Sequence, residues 1–129
     1  MKTTPSVDRW LKEAKEDPTA PACGMYLVHN GTVRATAKAK VRAGASDTLP
    51  VTGMEFSYDE KKAEAARQEA LAMEGISYVR VWLNEGRLRV GDDLMLVLIG
   101  GDIRPRVVDC LQFLVGKLKD ECVTEKELS

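Results

Sequence analysis

Six apolar residues in a row, Leu94-Met95-Leu96-Val97-Leu98-Ile99, set the tightest limit on how this chain folds. The run is far short of the ~18 residues that would cross a membrane. It reads as a central β-strand buried on both faces, which demands cover on each side of the sheet that holds it. With 129 residues the chain is long enough to bury a core and predicts a single domain, residues 1–129.

The segments around that strand supply the cover. Val7, Trp10, Leu11 and Ala14 fall at i, i+3, i+4 and i+7, the stripe of an amphipathic helix, with Ser6 as its N-cap and Asp17-Pro18 as its stop. Met25 to Val28 reads as a buried strand, followed by a turn or bulge at Asn30-Gly31. Residues 34–42 alternate cation or Thr with Ala or Val, which predicts a strand or extended arm with one basic face. A loop is expected over 44–50 and a strand over 51–58. Asp59 to Glu74 reads as a helix with Gly75 just past its end. Strands follow over 76–82 and 88–90. After Gly100-Gly101-Asp102 a last long helix carries Val107, Val108, Leu111, Leu114, Val115, Leu118 and Cys122, and residues 123–129 form a polar tail. Three helices and mixed or antiparallel strands make the fold class α+β.

Composition narrows the chemistry. Nineteen Lys and Arg against twenty Asp and Glu give a net charge of −1, unlike a nucleic-acid binder that relies on bulk charge. One histidine, His29, and three scattered cysteines provide neither the paired close spacings of a zinc module nor a disulfide framework. With no signal-peptide h-region and no membrane-length apolar run, the expectation is a soluble, cytoplasmic protein.

Several residues are candidates for a site, each with a simpler structural reading beside it. Gly100-Gly101 before a helix could seat an anion, or be a flexible turn capped by Asp102. The basic run Arg34, Lys38, Lys40, Arg42 could hold a phosphate, or protect an edge strand from aggregation. Arg104 lies in the first turn of a helix, where the macrodipole disfavours a cation, so an anionic partner would explain it. Lys117, Lys119 and Lys126 fall near the end of the last helix, where cations are electrostatically favoured. His29 reads as a turn or core residue, and the cysteines as small buried hydrophobes.

Order and spacing add a resemblance. Gly31-Thr32-Val33-Arg34 follows an apolar strand, Met54-Glu55-Phe56 precedes a helix, and Gly86-Arg87-Leu88-Arg89-Val90-Gly91-Asp92 precedes another apolar strand. Arg104 then opens a helix, and Lys119 and Lys126 close the pattern. Over residues 5 to 127 this resembles the large, catalytic subunit of molybdopterin synthase. The resemblance implies an α/β-hammerhead-like fold and a sulfurtransferase without metal or cofactor. It implies a homodimer with a thiocarboxylated ubiquitin-like small subunit at each end, and cyclic pyranopterin monophosphate as substrate. It assigns Lys119 and Lys126 as catalytic residues and Arg34 and Arg104 as substrate-binding residues. No nucleic acid or membrane partner is implied.

Geometry constrains that assignment. At about 1.5 Å per residue, Arg104 and Lys119 stand about 22 Å apart on one predicted helix, too far for a single small pocket. The expectation is a composite site at a homodimer interface, with Arg104 supplied by the second copy. The chain also departs from the family pattern. Leu83-Asn84 and Ile103-Arg104 stand where relatives carry His-Arg pairs, and Val123-Thr124-Glu125-Lys126 replaces Pro-x-Trp-Lys. These departures motivate a second reading, a non-catalytic homologue that acts as a dimeric scaffold for the small subunit.

Overall fold

The computed structural model describes residues 1–45 and 49–129, so part of the loop expected over 44–50 lies outside the described residues. The apolar run forms the middle of β5 (Asp93–Gly101), flanked antiparallel by β1 (Met25–Thr32) and β3 (Ile76–Leu83) in the order β1-β5-β3. Its side chains alternate as a strand requires. Val97 and Ile99 enter a core shared with α3 (Glu60–Leu71) and α4 (Arg104–Lys117). Leu96 and Leu98 pack on the opposite face against Trp10 and Ala14 of α1 (Val7–Glu16). Both faces of the central strand are buried, as its composition requires.

Local chemistry fixes these elements. Ser6 accepts a hydrogen bond from the Arg9 amide and Asp59 from the Lys62 amide, each satisfying a free N–H in a first helical turn. Arg80 of β3 pairs with Glu13 and lies 4.5 Å from the centre of the Trp10 ring, tying α1 to the sheet. Gly75, past α3, has φ +80°, and a bulge follows Gly31 in β1. The helix stripe of α4 is buried at Val107, Cys110 and Leu114, and continues through Leu118 and Cys122.

A second antiparallel sheet has the order β4-β2-β6, formed by β4 (Gly86–Arg89), β2 (Gly53–Tyr58) and β6 (Val123–Leu128). The polar tail is therefore a strand over most of its length. Its alternation puts Glu125 and Glu127 on one face and Thr124 and Lys126 on the other. Val123 pairs with Tyr58 and Leu128 with Gly53, so the whole of β2 has a partner.

Three sequence expectations need correction. Residues 38–43 form a short fourth helix, α2 (Lys38–Ala43), rather than an extended arm. Ala, Lys and Arg are strong helix formers, and that propensity outweighs an alternation carried by small and charged side chains. The helix stops at Gly44 in the left-handed region, φ +68°, and its Lys38 amide donates to Glu127 Oε2 at 2.9 Å. The last helix is α only to Lys117, and residues Leu118–Cys122 make one π turn. The Gly100-Gly101 pair serves packing. A Cβ on Gly100 would lie 2.7 Å from the Tyr26 ring, and one on Gly101 2.7 Å from the Gly75 carbonyl oxygen. Asp102 is not the cap of α4. Ile103 holds that position, while Asp102 accepts from the Ile103 amide and pairs with Arg106 at 2.6 Å. Among the described residues no helix is long and apolar enough to cross a membrane.

Candidate active site

The second sheet, α2 and the π turn meet the end of β1 around a cleft of about 250 Å³. From β1 come His29, Gly31 and Thr32, and from the connection after it Arg34. From α2 come Lys38 and Arg42, from the π turn Lys119, and from β6 Glu125 and Glu127. Met54, Leu94 and Met95 complete the lining. Four cationic side chains thus face two carboxylates and one imidazole, so the cleft is locally positive in a chain of net charge −1.

The backbone explains why these groups converge. Lys38 and Arg42 are four residues apart, so a helix turns both toward the cleft and leaves Lys40 on another surface, beside Ala35 and Leu49. Glu127 fastens α2 to β6 through the Lys38 amide. Arg34 Nε donates to the Thr36 carbonyl at 3.1 Å, which orients the guanidinium from the connecting segment. The Lys119 ammonium, with its side chain 30% exposed, stands 3.9 Å from Glu125 Oε1. That oxygen is buried, and among the described residues it has no hydrogen-bond partner. Burial, reinforced by the charge of Lys119, pushes the His29 imidazole below its ordinary pKa.

The structure thus unites Arg34 and Lys119 and separates the other two expected site residues from them. Lys126 is exposed on the outer face of the second sheet, in register with Glu55, which is itself in register with Arg87. It lines a different groove with Phe56 and Thr124. Arg104 is exposed at the start of α4, the end remote from Lys119, and does not line the cleft. His29, which the sequence suggested was a turn or core residue, is half-buried on β1 and faces the cleft. Lys38 and Arg42 carried one available signal, their i, i+4 spacing, whereas Glu125 and Glu127 carried none, because only pairing with β2 makes 123–128 a strand.

A larger hollow of about 350 Å³ lies between α3 and β3, lined by Tyr58, Glu64, Arg67 and Trp82 among others. Its arginine is already committed. Arg67 holds Glu64 through two hydrogen bonds of 2.8 and 2.9 Å and lowers that carboxyl to a pKa of about 2. The cysteines offer no alternative nucleophile near Lys119. Cys110 is buried, which pushes its thiol up to about 11, and burial raises Cys122 as well.

Residues 2–121 match the family described as MoaE protein. The chain belongs to the MoaE family. Solved structures agree in fold. A molybdopterin biosynthesis MoaE protein from Burkholderia ambifaria MC40-6 superposes with a TM-score of 0.74 at 22% identity, covering 99% of this chain and 80% of that one. Molybdopterin synthase from Staphylococcus aureus gives 0.67 at 18% identity, covering 83% and 75%. A complex of subunits 1 and 2 of molybdopterin-converting factor from Helicobacter pylori 26695 gives 0.65 at 18% identity, covering 96% and 79%. No curated protein matches in sequence. Within this MoaE chain, one buried polar side chain stands at the end of β3. Asn84 is buried, accepts from the Lys2 and Glu85 amides, and donates to the Asp93 carbonyl, each at 2.8 Å.

Proposed function

We propose that this chain is the large subunit of a molybdopterin synthase. It transfers sulfur from the thiocarboxylated C-terminus of a ubiquitin-like small subunit to cyclic pyranopterin monophosphate, forming the dithiolene of molybdopterin. Membership in the MoaE family supports a role in molybdenum cofactor biosynthesis. The Helicobacter structure, a complex of two subunits, supports a small-subunit partner.

One observation carries the reading: Lys119 and Arg34, distant in sequence, open into one cleft with Lys38 and Arg42. The phosphate of the substrate and the thiocarboxylate of the donor are both anionic and repel each other in water. Fixed cations in a partly enclosed cleft offset that repulsion and hold the reacting atoms together. Lys119, in the π turn at the cleft wall, is the principal catalytic lysine of this proposal, and Arg34 binds the phosphate.

The cleft of one chain, about 250 Å³, falls below the roughly 300–1,000 Å³ of small-molecule sites. A second copy supplying a wall and Arg104 would enlarge it, which supports a composite site in a homodimer. Lys126, on the outer face of β6, assists from outside this cleft. The scaffold reading is favoured by a different observation: buried Asn84, which the family resemblance sets against an arginine, spends its amide on backbone groups.

Reconstitution separates the two. The chain is mixed with a thiocarboxylated small subunit and cyclic pyranopterin monophosphate, and molybdopterin is measured. Product supports the synthase. A stable complex with the small subunit and no product supports the scaffold and overturns the synthase.

A further inference from the structure

We propose that His29 is the proton acceptor of this cleft, serving the water that releases the small subunit's tail after its sulfur has been transferred. The assignment rests on the synthase reading above. When a thiocarboxylate sulfur displaces an oxygen substituent from a substrate carbon, the C–S bond forms as the C–O bond breaks, its electron pair leaves on oxygen as phosphate or water, and the product of that step is a thioester. For the sulfur to stay on the substrate, the acyl–sulfur bond must then break. Water adds to the acyl carbon, forming a C–O bond. The C–S bond breaks with its electron pair going to sulfur, which leaves as a thiolate. The tail departs as a carboxylate. Of the two protons of water, one passes to His29 and the other to solvent, and His29 then returns its proton to the thiolate or to solvent.

The lining of the cleft singles out His29 for this work. Arg34, Lys38 and Arg42 face it as cations with no free lone pair. Lys119 and Glu125 stand as an ion pair at 3.9 Å, and Glu127 is engaged by the Lys38 amide. β5 and β2 contribute only Leu94, Met95 and Met54. The imidazole is therefore the one group here whose ordinary range lies near neutrality, where a general base is most effective. Burial and Lys119 both favour its neutral form, the form that accepts a proton. Among the described residues its ring makes no hydrogen bond to protein. A Cβ on Gly31 would sit 3.7 Å from Nε2 and 3.1 Å from Met95 Cγ, so glycine leaves this nitrogen's side of the cleft less crowded than any other residue would.

The test is the pH profile of molybdopterin formation by the complete complex, with wild type and His29→Gln compared. The expected wild-type profile falls on the acid side with a midpoint below 6.5. In His29→Gln that limb disappears, the rate falls about a hundredfold or more, and a covalent small subunit–substrate adduct accumulates in the mass spectrum. Product from His29→Gln at the wild-type rate with the same acid limb overturns the assignment and leaves the synthase reading intact. Absence of product from wild type at every pH overturns the synthase reading and the assignment with it. His29 is the chain's single histidine, so its imidazole NMR signal titrates alone and gives a second readout in folded protein. The midpoint is expected below 6.5 and is expected to rise in Lys119→Gln. A histidine still charged at pH 7 overturns the assignment.

Discussion

Lys119 and Glu125 face each other at the cleft wall with 3.9 Å between ammonium and carboxylate oxygen, close enough to attract and too far to hydrogen-bond. The carboxylate therefore subtracts charge from the cleft without closing it. Glu125→Gln is expected to tighten binding of inorganic phosphate by about three- to tenfold at low salt, the gain shrinking as salt screens the cleft. Calorimetric titration at two ionic strengths checks this, and unchanged affinity at both would count against a cleft built to hold anions.

Arg104 and Lys119 stand at opposite ends of the run formed by α4 and the π turn, so a shared site needs two chains. Lys119→Ala and Arg104→Ala are each expected to be inactive or strongly impaired alone. Mixed and re-equilibrated, they should recover about a quarter of wild-type sites, because half of random dimers carry one intact site of two. No recovery on mixing, with dimers formed, would place Arg104 outside the site.

Lys126 projects from the outer face of β6, in register with Glu55 and away from Glu125 and Glu127. Its replacement by Ala is expected to slow molybdopterin formation by about tenfold or less, well short of the loss in Lys119→Ala. Equal losses in steady-state kinetics would mean that β6 turns Lys126 toward the reacting atoms in the assembled complex.

Acid should weaken the fold through His29. Its folded-state pKa lies below the ordinary 6.5, so below that value the unfolded chain takes up a proton that the folded chain does not. Stability contributed by neutral His29 is complete above pH 6.5 and is lost as pH falls from there toward the folded pKa. Denaturant midpoints between pH 7 and 5 should show this loss, and its size should shrink in His29→Gln.

The core of the fold was legible in the sequence because its signals are local. Leu94–Ile99 announced a strand buried on two faces, and Ser6 and Asp59 lie where helices begin. Residues 34–42 misled because an alternation of Ala with Lys or Arg is also a run of helix formers. Strand β6 was hidden because Glu125, Lys126 and Glu127 show no apolar alternation, and only pairing with β2 makes them a strand. That pairing then decided which lysine faces the cleft. Placing His29 beside Lys119 required the meeting of β1 with the π turn, a contact between distant segments that no local pattern records.

In the proposed reaction, sulfur transfer depends on Lys119 above every other residue of the cleft. The most direct test of that dependence measures molybdopterin formed from cyclic pyranopterin monophosphate and a thiocarboxylated small subunit, comparing wild type with Lys119→Ala at equal occupancy of the small subunit. Product is expected from wild type and none above background from Lys119→Ala, with the small subunit still bound. Undiminished product from Lys119→Ala would contradict it.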